Sequence, residues 1–101
     1  MTGNVLVAGA GSTLARAVAE ALAGRGYGLV LAARDASEAA RTAADLRFRF
    51  GVPAAALGFD ARDAAATAAL VPRAESALAG GLAGVVVAFA AMPDQEEVER
   101  D

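Results

Sequence analysis

This sequence predicts an α/β fold in which a parallel sheet is flanked by helices, and three observations carry that expectation. Short uncharged runs, Val5-Leu6-Val7-Ala8, Leu29-Val30-Leu31-Ala32-Ala33 and Val85-Val86-Val87-Ala88-Phe89, suit strands buried on both faces. Between them lie longer stretches with apolar residues at helical spacing, several of which end in glycine. The elements alternate as βαβαβαβ with a further helix begun at the end, and no internal repeat, linker or low-complexity segment interrupts them. Right-handed crossovers then make the sheet parallel.

The first strand, from Asn4 to Ala8, feeds into Gly9-Ala10-Gly11-Ser12-Thr13 and then into a helix. Leu14, Val18 and Ala21/Leu22 recur at helical spacing, with Arg16 and Glu20 four apart on the other face. A strand, tight turn and helix in this order leave unpaired backbone N–H groups at the positive end of the helix dipole, which is a phosphate site. Glycine is required at Gly9 for a sharp reversal, and at Gly11 because a side chain would stand between backbone and phosphate.

Gly24-Arg25-Gly26-Tyr27-Gly28 stops that helix, and the second strand follows. Asp35 is the expected N-cap of a helix over Ala36 to Phe50, with Glu38 as capping-box partner and Gly51 as stop. Ala39, Ala43, Leu46 and Phe50 form its inner stripe, which leaves Phe48 partly exposed at the helix end. Pro53 to Phe59 reads as a short third strand, its proline first, where a missing donor does least harm. Asp63 is then expected to cap a helix through Ala79, kinked or restarted at Pro72, and Gly80-Gly81 and Gly84 precede the fourth strand. Pro93 and the acids after it announce the next helix.

One domain spanning residues 1–101 is the expectation for a chain of 101 residues, which is enough for one modest core. The net charge is −3, but five of the twelve acids lie at Asp94, Glu96, Glu97, Glu99 and Asp101. Without residues 94–101, eight arginines face seven acids, a balance of +1, so no basic face suggests nucleic acid. The acidic end reads as a solvated helix start rather than a set of metal ligands. Cysteine and histidine are both absent, which removes disulfides, the common metal ligands and the usual general base, and fits a reducing cytoplasm. No apolar run approaches the roughly 20 residues of a membrane span, and the first one follows no basic segment, so neither a span nor a signal peptide is expected.

These residues together resemble the N-terminal, cofactor-binding half of a short-chain dehydrogenase/reductase, over nearly the whole chain. Gly9 fills the first place of the family's Gly-x-x-x-Gly-x-Gly turn, while Thr13 and Ala15 stand in the other two. Members with an Ala-x-Ser-x-Ile/Leu-Ala turn match Ala10-Gly11-Ser12-Thr13-Leu14-Ala15 better, and Ala15 is small enough for close helix-sheet packing. The resemblance implies a Rossmann-like sheet in the order third, second, first, fourth strand, as half of a doubly wound domain. Its ligand crevice lies between the first and fourth strands. It also implies a nicotinamide dinucleotide held by Gly9, Gly11, Ser12, Thr13 and Leu14.

Arg34 follows the second strand, where a carboxylate accepts from a ribose 2′-hydroxyl and an arginine holds a 2′-phosphate, so NADP is favoured over NAD. An ion pair with Asp35 or Glu38 is the competing reading, although a helix start disfavours cations. By resemblance Asp60 contacts the adenine amino group, and Ala88, Phe89 and Ala90 replace the family's Asn-Ala-Gly at the cofactor ribose. Met92-Pro93-Asp94-Gln95 resembles the continuation in divergent members.

The family reaction, hydride transfer between NADP(H) and a carbonyl/alcohol pair, uses a tyrosine and a lysine four residues on. The chain has no lysine, and Tyr27 in the turn before the second strand is its one tyrosine, so no catalytic residue is assigned. Ser12 and Thr13 have no base to activate them. The expectation is therefore a cofactor-binding half that does not catalyse alone, truncated relative to a complete enzyme. Its uncharged fourth-strand edge would be covered by a fifth strand or by a second copy pairing edge to edge. The competing reading is a non-enzymatic dinucleotide-sensing module, which usually carries an acid where Arg34 stands. A phosphoacceptor domain built on Asp60 lacks the acidic pair and lysine that it needs.

Overall fold

The computed structural model describes residues 3–9, 13–60 and 64–87, apart from the side chains of residues 66 and 67. The elements run β1 (Asn4–Ala8), α1 (Thr13–Gly24), β2 (Gly28–Ala33), α2 (Ala36–Phe50), β3 (Ala54–Gly58), α3 (Ala64–Ala77) and β4 (Gly84–Val87). All three strand pairings are parallel, and the order across the sheet is β3-β2-β1-β4, as expected. Every residue of β1 and β2 is buried, which is why these runs carry no alternation, whereas β3 and β4 form the edges and are only partly covered.

Successive side chains of a strand point to opposite faces, and this divides the core in two. Val5, Val7, Leu29, Leu31 and Ala33 pack against α1 and α2 on one face. Leu6, Ala8, Val30 and Ala32 meet Leu70 and Ala74 of α3 on the other. Leu6, Leu29, Leu31 and Leu46 are almost wholly removed from water. Burial of each contributes on the order of 1.5–3 kcal/mol.

In α1 the buried stripe is Ala15, Ala19 and Ala23, not the larger Leu14 and Val18. Alanine every fourth residue lets the helix lie close on β1 and β2, which rotates Leu14 outward to 65% exposure. Glu20 does not pair with Arg16 one turn back. It reaches across to Arg49 of α2 at 2.7 Å, and Asp45 joins the same guanidinium at 2.8 Å. Exposed pairs of this kind contribute little stability, but they tie the two helices on that face together.

The α2 boundaries match those expected from the sequence. Asp35 Oδ1 accepts from Ser37 N–H at 3.0 Å and Glu38 N–H at 3.2 Å, and Gly51 ends the helix at φ 70° with its N–H on the Arg47 carbonyl. Among the described residues the return bond of the capping box, from the Glu38 side chain to Asp35, is not formed. Asp35→Ala is expected to cost about 1 kcal/mol, read as a lower urea midpoint at unchanged slope. Phe48 is 88% exposed on the outer side of this helix.

Of the kink or restart expected at Pro72, the restart does not occur, since α3 runs unbroken from Ala64 to Ala77. Pro72 and Ala68, four residues before it, are both exposed, so the carbonyl that loses its donor lies on the solvated side of the helix. The expected Asp63 cap, the last two residues of the anticipated fourth strand and the helix expected after Pro93 lie outside the described residues.

Candidate functional site

In a parallel sheet all strands end at the same side, so the C-terminal ends of β1, β2, β3 and β4 lie along one edge. Gly9 follows β1 at φ 85°, a backbone conformation that side chains other than glycine's resist. Its N–H donates to the Ala32 carbonyl at 2.8 Å, extending the β1-β2 ladder by one step before the chain leaves the sheet. Helix α1 then begins at Thr13, and Thr13 and Leu14 are both exposed in its first turn.

Three helices start on this side of the sheet, and α3, like α1, has no acidic residue in its first turn. The first turn of α2 is filled by Asp35 and Glu38, whereas α1 has no acidic residue in its first turn. The positive end of the α1 dipole is thus not offset by a carboxylate within that turn.

Arg34 follows β2 directly and is exposed. Of the two acids proposed to pair with it, Asp35 is engaged in capping α2. Both ion pairs among the described residues belong to Arg49, so Arg34 makes none. One step along the same edge, Phe59 N–H bonds the Ala33 carbonyl at 2.9 Å, which seals β3 to β2 just before the partly buried Asp60. Gly9, Thr13, Leu14, Arg34 and Asp60 therefore share the C-terminal side of the sheet. Gly11, Ser12, Ala88, Phe89 and Ala90 lie outside the described residues, and β4 ends at Val87, which pairs with Ala8.

Other chemistry finds little support. Tyr27 precedes β2, at the opposite end of the sheet, and is partly buried against the core. Among the described residues no three histidines, cysteines or acids gather to hold a metal, and no helix is long and apolar enough to cross a membrane. A shallow depression lined by Leu57, Pro72, Arg73, Ser76 and Ala77 lies where α3 passes β3, and none of the candidate residues lines it.

Three interactions were not anticipated from the sequence. Asn4 is the one buried polar side chain among the described residues, and its Nδ2 donates to the carbonyls of Ala79 and Gly81 at 2.9 Å each. Arg47 and Arg73 each bond a carbonyl of β3. A lone polar residue opening an apolar strand was the available signal for Asn4. The arginines look in sequence like any solvated helix face.

The short chain dehydrogenase family model matches residues 3–100. Among solved structures, a short-chain dehydrogenase from Sphingobium yanoikuyae in complex with NADPH is 38% identical. It aligns over 79% of this chain and 30% of its own, with a TM-score of 0.68. L-sorbose reductase from Gluconobacter frateurii, complexed with NADPH and L-sorbose, is 29% identical over 83% of this chain and 32% of its own, at a TM-score of 0.73. Menthone neomenthol reductase from Mentha piperita is 23% identical over 99% of this chain and 39% of its own, at 0.74, and shares the fold. A search of curated protein sequences finds no match to this chain. The chain thus spans about a third of the length of these solved relatives. With the strand order and the family match in agreement, this chain belongs to the short-chain dehydrogenase family.

Proposed function

We propose that this chain is the cofactor-binding half of an NADP-dependent oxidoreductase whose reaction is hydride transfer between the nicotinamide and a carbonyl/alcohol pair. The observation that carries the reading is Arg34, exposed and without an ion pair among the described residues, directly after the second strand. In that position a guanidinium forms charge-assisted bonds to a 2′-phosphate, and a carboxylate would repel it. NADPH in the complexes of the Sphingobium and Gluconobacter relatives supports the same choice.

The residues fit such a group. Gly9 leaves β1 at a positive φ, and no first-turn carboxylate of α1 competes with a pyrophosphate, to which Gly11 and Ser12 would contribute. Thr13 and Leu14 line that start, Arg34 takes the 2′-phosphate, and Asp60 takes the adenine amino group. Ala88, Phe89 and Ala90 border the ribose with small or apolar contacts. When bound, NADP supplies the hydride chemistry, and these residues bind and orient it.

Proton transfer is the step this chain does not provide. It contains no lysine, and Tyr27 stands at the far end of the sheet. The isolated 101-residue chain is therefore expected to bind NADP without turning over a carbonyl substrate, and it acts in the cytoplasm. Calorimetric titration with NADP and NAD tests this. Saturable binding with NADP tighter than NAD supports it, and a folded chain that binds neither overturns it. Tighter binding of NAD would favour a dinucleotide-sensing module instead.

A further inference from the structure

The two edges of the sheet are treated differently by the rest of the chain. At β3, Leu29 N–H bonds the Pro53 carbonyl and Phe59 N–H bonds the Ala33 carbonyl. In a parallel ladder alternate residues face the neighbouring strand. With the register Leu29↔Ala54 through Ala33↔Gly58, the backbone groups of Ala55 and Leu57 face β2, and those of Ala54, Ala56 and Gly58 point away from the sheet.

Two of these three outward carbonyls are taken by arginine. Arg47 Nη1, from α2 on one face, donates to the Ala54 carbonyl at 2.6 Å. Arg73 Nη1, from α3 on the other face, donates to the Gly58 carbonyl at 3.1 Å. One bond lies at each end of the edge. A strand approaching β3 would have to break both and cover two guanidinium groups that have no carboxylate partner among the described residues. At β4 the pattern is the reverse. Gly84-Val85-Val86-Val87 carries no charge, and Val85 and Val87 are 49% and 60% exposed.

The geometry points to Arg47 and Arg73 as guards that close the β3 edge to strand addition by a second copy of this chain. Folded proteins keep sheet edges from pairing with charged groups placed on them, and here the charge comes from the flanking helices rather than from the strand, which has none of its own. Extension of the sheet is thereby confined to β4.

The absence of cysteine makes the test direct, because Ala56→Cys places a single thiol at the midpoint of β3. Two β3 strands related by a two-fold axis would bring these thiols opposite one another, whereas association through β4 would leave them far apart. Mild oxidation of this variant, with and without Arg47→Met and Arg73→Met, is followed on non-reducing gels after circular dichroism has established folding. Disulfide dimer is expected to rise roughly fivefold to tenfold for each carbonyl opened. It should stay at the starting level when both arginines become lysine, which keeps the charge at the edge. No rise in the folded methionine variant would overturn the inference. Should the double variant fail to fold, Arg73→Met alone, at an exposed side chain, decides the matter by the same two outcomes.

Discussion

Replacing Arg34 with aspartate is expected to lower NADP affinity about 100-fold while leaving NAD binding intact or improved. A hydrogen bond to a charged group contributes about 1.5–3 kcal/mol, or roughly tenfold to 150-fold in affinity, and a carboxylate adds repulsion to the loss. Nothing in the fold should offset this. Arg34 is exposed and makes no ion pair among the described residues, and the Asp35 cap beside it does not depend on it. Thermal stability should therefore hold while selectivity changes, which separates a ligand role from a structural one. Arg34→Lys should give an intermediate loss, since an ammonium offers a charge but not the planar fork. The NADP preference of the parent should shrink with added salt, because the contact is exposed and screened. An equal loss for both dinucleotides, or none for either, would remove the phosphate from this position.

Sequence alone made the sheet legible because its central strands are buried on both faces. Val5 to Ala8 and Leu29 to Ala33 had to be apolar throughout, and that is a pattern a reader can see. The α2 ends were equally visible, since Asp35 and Gly51 are chosen by backbone geometry that acts locally. Facing directions were harder. In α1 the larger residues Leu14 and Val18 drew attention, but the helix turns Ala15, Ala19 and Ala23 inward because close approach to the sheet outweighs the area a leucine would bury. At the candidate site, Gly9 was readable because its position demands a positive φ, and Arg34 because a helix start gives a cation no local reason to be there. The Arg47 and Arg73 contacts depend on register and on two helices crossing one strand, and no local pattern encodes either.

Asn4→Leu is expected to lower stability by about 2–3 kcal/mol, since two part-buried carbonyls lose their shared donor at a cost of about 1–1.5 kcal/mol each. At this chain length that corresponds to a fall in Tm of roughly 10–20 °C. Asn4 Nδ2 holds the carbonyls of Ala79 and Gly81, and the Asn4 carbonyl accepts from Ala83 N–H at 2.6 Å, so the start of β1 fixes the whole turn between α3 and β4. Asn4→Asp should be worse than its size suggests, because it sets a carboxylate against two carbonyl oxygens. Gly28 supplies an internal check. A Cβ there would collide with the Asn4 side chain, so Gly28→Ala should destabilise the parent strongly but cost much less once Asn4 has become alanine. Additive losses would show that the two positions are not coupled through this contact. The turn lies at the opposite end of the sheet from Gly9 and Arg34. The folded fraction of each Asn4 variant should therefore retain the parent's NADP preference, whereas Arg34 variants retain stability and lose that preference.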